Sequence, residues 1–192
     1  MSKGKKASRK AKSATKAKTA AKKQSVKTRA SSGASDTELR EYLAKVLTWG
    51  EAHADWKQAL AGLDPAQRGV RPAGSPYSAW ELLEHARIAQ EDIVDFATNP
   101  KYRAREWPAS YWPNSPAPPD DAAWEKSVKE FAQGTEEMVK LLKDPRTDLF
   151  AKIPHGTGQT MLRQALLLAD HNSYHLGQLV LVRRLLGAWA PS

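Results

Sequence analysis

An all-α fold, a four-helix bundle with one long crossover between its second and third helices, is what the 192-residue sequence predicts. Three observations predict it. Four stretches repeat apolar residues every three or four positions. No stretch alternates apolar and polar side chains as a half-buried strand does. Residues 98–119 hold six prolines and four Trp or Tyr with no helical period, and a connection that long in a small domain crosses the fold or builds part of a site.

Each element has its own signal. Ser35 with Glu38 reads as a capping box, and Leu39, Leu43, Val46, His53 and Leu60 then share one face to about Gly62, giving the first helix. The segment DPAQRGVRPAGSPY is a loop by its Pro and Gly content. Ser78 with Glu81 forms a second capping box, opening a helix from Ala79 to about Ala97 with Leu82, His85, Ala89, Ile93 and Phe96 inward. After the crossover, a third helix runs from about Asp121 to Lys143, with Trp124, Val128, Phe131, Met138 and Leu142 on its inner stripe. It ends before Asp144-Pro145, because a residue preceding proline is pushed out of the helical region. Thr160 is the expected N-cap of a fourth helix that continues to about Gly187.

Charge separates the first residues from the rest. Residues 1–32 carry twelve Lys or Arg and no Asp or Glu, so against a net charge of +9 the other 160 residues sum to −3. Beyond its first residue the Lys/Ala-rich stretch has one Val as its only sizeable apolar side chain, too little to offset the entropy of ordering it. Residues 1–34 are therefore expected to form a disordered basic tail and residues 35–190 the bundle. Such a tail either adds solubility or binds nucleic acid without sequence preference, through counterion release.

Other classes are excluded or disfavoured. No apolar stretch of secretory type comes after the basic start, and none reaches the roughly 18 residues of a membrane span. The absence of cysteine removes disulfides, thiolate ligands and a cysteine nucleophile together. A cytoplasmic protein is the simplest expectation.

The chemistry lies in LADHNSYHLGQL, residues 168–179, where two histidines interrupt an aliphatic run. Met161, Leu168, His171, His175 and Val182 return to one side of the fourth helix, so both imidazoles point inward at a spacing that lets two rings meet one metal ion. On the second helix, His85 lies roughly 18 Å from the helix end, while His171 and His175 lie roughly 16 and 22 Å from the start of theirs, at about 1.5 Å per residue. If these helices run antiparallel, all three rings share one level. Three neutral imidazoles in an apolar core are costly unless a cation satisfies them, and three protein ligands leave a position open for chemistry. Zinc, nickel or ferrous iron would each accept this set.

The general base is not evident. Asn172 stands where an HExxH protease has its glutamate, and Asp170 points partly away. The candidate catalytic residues are His53, near His85 if the first two helices pair, and Tyr174, which the balance of buried tyrosines favours as interface packing. His155 in IPHGTG either covers the bundle mouth or is exposed.

The runs SAWELLEHARIAQEDI and ALLLADHNSYHLGQLVLVRRLLGAW resemble the DinB-like (DinB/YfiT) superfamily of metal-dependent enzymes across about residues 35–190. The resemblance implies up-down-down-up helix order and a metal held by His85, His171 and His175. Some members of that superfamily transfer low-molecular-weight thiols onto electrophiles. The expected function is accordingly a divalent-metal-dependent transferase or hydrolase, its three-histidine site activating water or such a thiol against a small electrophile in a pocket walled by Trp107, Tyr111 and Trp112 of the crossover. The alternative is a nucleic-acid-associated protein whose tail binds DNA or RNA and whose bundle is a structural or dimerising core. The partners open to the chain are a small-molecule substrate, nucleic acid through residues 1–32 and a second copy of itself, with no membrane.

Overall fold

The computed structural model describes residues 35–189, so the segment expected to be a disordered tail lies outside the described residues. Packing divides the chain between Glu41 and Tyr42. The first helix, α1 (35–48), crosses that division. Within its first turns Asp36 Oδ2 accepts from Arg40 Nε at 2.7 Å. Residues from Tyr42 on form the larger unit, which holds every other helix among the described residues.

The first helix is shorter than its apolar spacing predicts. It stops at residue 48, before Trp49 and Gly50, and a separate helix α2 (Trp56–Leu60) comes next. The cause is local. Asp55 accepts a hydrogen bond from the Gln58 amide at 2.7 Å, and the Gln58 side chain accepts from the Asp55 amide at 3.0 Å. That reciprocal cap starts a new helix where the periodic pattern had suggested an interior. Leu43 and Leu60 are buried as expected, whereas Val46 is 38% exposed and His53 lies outside any helix.

The remaining long helices are α3 (Ala79–Thr98), α4 (Asp121–Lys143) and α5 (Met161–Leu185). Ser78 caps α3 through the expected box, accepting from the Glu81 amide at 3.2 Å while Glu81 accepts from the Ser78 amide at 2.9 Å. Asp120 caps α4, accepting from the Ala123 amide at 2.7 Å, and Thr160 caps α5. Beyond α5, Gly187 takes a left-handed φ of 68°, which a side chain would strain.

Side-chain pairs fix the helix directions. Moving along α3, Trp80 meets Trp124, Arg87 pairs with Glu130 at 3.4 Å, and Gln90 bonds the Phe131 carbonyl and Thr135, so α3 and α4 are parallel. Against α5 the order reverses: His85 meets His175, while Gln90 bonds Asn172 at 3.1 Å. Two parallel neighbours require the chain to return along roughly 30 Å of helix, at about 1.5 Å per residue over twenty residues. That return is the 99–120 crossover.

The core joins Leu60 of α2, Leu82, Leu83 and Ala86 of α3, Trp124 and Phe131 of α4, and Leu176, Leu179 and Val182 of α5. Arg183, also buried, donates to the carbonyls of Ala59 at 2.7 Å and Ala61 at 2.8 Å, tying the end of α2 to α5. No strand occurs among the described residues; the loop before α5 makes one isolated bridge, Lys152 to Thr160. No described helix is long and apolar enough to cross a membrane.

Candidate metal centre

Antiparallel packing of α3 on α5 brings His85, His171 and His175 together. One nitrogen from each ring lies within 4.8 Å of the others. His85 and His175 are buried and His171 is half-buried. The trio sits at the level that helical rise predicts.

Hydrogen bonding decides which nitrogens remain free. His85 Nδ1 is 2.8 Å from the Tyr111 carbonyl, which can only accept, so Nδ1 carries the proton and Nε2 a lone pair. His175 Nδ1 donates in the same way to Gln178 Oε1 at 2.7 Å. His171 Nε2 is 3.3 Å from His85 Nε2, while its Nδ1 is buried without a hydrogen-bond partner. Two nitrogens bound to one tetrahedral zinc at about 2.0–2.1 Å lie roughly 3.3 Å apart, the spacing of the His85 and His171 pair. The donor set and its tautomers therefore fit a divalent ion.

Electrostatics keep the rings neutral. Burial, and then the neighbouring His85, push the His171 pKa down to about 4. Burial, and then His171 and His85, do the same to His175, also to about 4. His85 is lowered by burial, against which the Tyr111 carbonyl works. Neutral imidazole is the form that binds a metal.

The crossover builds one wall. Trp112 stacks on His85 with ring centroids 3.9 Å apart and planes 4° from parallel, and Tyr77 stacks on the other face of Trp112 at 4.3 Å. The same segment is pinned to α3 by Asp92, which accepts from the Tyr111 hydroxyl at 2.7 Å and the Tyr102 hydroxyl at 3.0 Å. Burial, and then that carboxylate, raise both phenols, Tyr102 to about 12. Trp107, another aromatic of the crossover, is 73% exposed.

The other singled-out residues fall elsewhere. Tyr174 is not interface packing: it is 64% exposed, its ring edge-on to His175 at 5.0 Å. His53 is exposed and donates to the Ala54 carbonyl at 2.8 Å; it is not in the trio. His155 is exposed at the end of α3, bonded to the Phe96 carbonyl at 2.9 Å. Asp170 is exposed, and the Asn172 side-chain amide donates to Gln90 Oε1 at 3.1 Å in the core.

Sequence reasoning missed some partners of the three histidines. Gln178 stands three residues after His175, within reach on one helix face, so its role could have been found from spacing. Of the crossover aromatics expected to wall the pocket, Tyr111 and Trp112 meet His85 and Trp107 is exposed, while nothing local marks Asp92.

Comparison with curated proteins and with solved structures gives no match. The profile of the DinB superfamily matches residues 48–179, a span that includes all three histidines and more than half of the chain. The chain belongs to the DinB superfamily.

Proposed function

We propose that this protein is a metal-dependent enzyme whose three histidines hold one divalent ion and whose substrate is a small electrophile. The observation that carries this reading is the convergence of three neutral imidazoles, one nitrogen of each within 4.8 Å of the others and two rings with Nδ1–H already committed to an acceptor. Zinc, nickel and ferrous iron all suit that set. When bound, such an ion supplies the acidity that makes a water or a low-molecular-weight thiol a nucleophile at neutral pH. The chain's own residues orient the rings, through Tyr111 and Gln178, and shield one face of His85 with Trp112. Tyr174, exposed beside His175, is the better candidate to meet a bound substrate; His53 has no contact with the trio to support such a role.

The test is turnover by metal-loaded protein of a thiol with 1-chloro-2,4-dinitrobenzene, where the thiol sulfur displaces chloride, beside hydrolysis of an activated ester. Activity in either assay that disappears on chelation and in His85→Ala supports the reading. Activity in neither contradicts it.

One observation favours a second reading, a nucleic-acid-associated protein: the concentration of twelve cationic side chains in residues 1–32. It calls for salt-sensitive DNA binding that deletion of residues 1–32 abolishes and His171→Ala leaves intact.

A further inference from the structure

Helix α5 is apolar on two sides. Its inner face places Leu168, Leu176, Leu179 and Val182 in the core, while its outer face carries Leu166, Tyr174, Leu181 and Leu185, each between 49% and 64% exposed. From Gln164 to Val182 its one charged side chain is Asp170. The outer face of α4 differs, with Lys126, Lys129, Glu137 and Lys140 in solvent. A helix that is hydrophobic all round is ordinarily buried all round, so α5 lacks a neighbour on one side.

Gly177 lies in the middle of that side. A Cβ added there would meet nothing within 4 Å, so no packing inside the chain calls for glycine, and a glycine within a helix weakens it relative to alanine. Bare backbone at the centre of an exposed apolar face lets a second helix approach closely.

Charge specifies that second helix. Asp170 and Arg184 lie seven residues to either side of Gly177, roughly 10 Å along the axis at about 1.5 Å per residue, and turn to one side of the helix. Both are exposed, and neither side chain has a hydrogen bond or ion pair among the described residues. A copy of α5 laid antiparallel, on a two-fold axis at Gly177, sets Asp170 against the partner's Arg184, Tyr174 against the partner's Leu181 and Leu167 against the partner's Leu185. A parallel copy instead opposes like charges at both ends.

We propose that the outer face of α5 is the interface of a homodimer, formed by two antiparallel α5 helices that cross at Gly177. The occupant is a second copy of this chain because the face complements itself in both charge and apolar residues. Residues 1–32, with twelve cations and little apolar surface, offer no such match. Tyr174 belongs to this face and lies edge-on to His175 at 5.0 Å, so the interface borders the candidate metal centre. On the function proposed above, a substrate that reaches Tyr174 also meets the partner; the dimer itself does not rest on that reading.

The experiment is sedimentation equilibrium of the full chain, with chelator present so that no shared ion joins two copies. Twice the mass of one chain is expected. Gly177→Leu and Leu181→Glu, each checked for helical circular dichroism, should weaken association about thirtyfold or more, the value of an interface hot spot. Asp170→Arg and Arg184→Asp should each weaken it about tenfold alone. An equimolar mixture of those two should associate as the wild type does, since opposite charges then meet at both ends. A full chain that remains monomeric overturns the proposal, whether its own preceding residues or another protein cover the face. So does a dimer that survives both Gly177→Leu and Leu181→Glu, or a mixture that associates no more tightly than its separate variants.

Discussion

Trp112 of the crossover lies flat on His85 of α3, at 3.9 Å and 4°, and the carbonyl of its neighbour Tyr111 holds the Nδ1 proton of the same ring. The longest loop of the fold thus orients a ligand of the candidate metal centre. Partners of this kind fix the tautomer and angle of the ring, and losing them typically costs about 10–100-fold in metal affinity. Trp112→Ala is expected to weaken zinc binding about tenfold, measured by competition with a chromophoric chelator. Tyr111→Phe keeps the carbonyl but releases it from Asp92, and should give a smaller loss. Unchanged affinity in both variants would remove the crossover from the metal centre.

Acid should weaken the metal-free protein in a defined window. An unfolded histidine takes up a proton near pH 6.5, whereas folded His171 and His175 resist protonation until about pH 4. Between those values the unfolded chain binds protons that the folded chain does not, so stability is full above pH 6.5 and falls as the pH drops towards 4. The expected outcome is a Tm that falls progressively as the pH is lowered across that window. Replacing both histidines with Ala should flatten the slope.

The core beside the site tolerates no added atom at Gly134. A Cβ there would lie 2.5 Å from Gln90 Nε2, and Gln90, 1% exposed, joins the Phe131 carbonyl, Thr135 and Asn172. Gly134→Ala gains helix propensity but must displace that hub. A net loss of about 1–3 kcal/mol in urea denaturation is expected, although solvent-exposed Gly→Ala changes in helices ordinarily stabilise.

Much of the fold and the histidine trio was legible in the sequence because both rest on helical periodicity and caps. Ser78 and Glu81 set the start of α3, Asp121 and Lys143 bound α4, and rise along α3 and α5 brings the three histidines level. The first helix misled because apolar spacing continues through His53 to Leu60 while Asp55 and Gln58 cap a new helix; the local hydrogen bonds prevailed over the longer pattern. Tyr174 misled for a different reason. One position before an inward histidine, it turns to solvent, a rotation about the helix axis that type-based reasoning about tyrosine ignores. The Trp112 stack and the Asp92 anchor depend on where the 99–120 connection lands, and nothing within that connection specifies its landing place.

The central claim is that His85, His171 and His175 together hold a metal ion, and elemental analysis of the untagged full chain tests it most directly. The wild-type protein should carry about one divalent ion per chain, with His85→Ala and His171→Ala each folded by circular dichroism yet depleted of it. Wild-type protein that takes up no divalent ion on reconstitution, or variants that retain the same content, would contradict the claim.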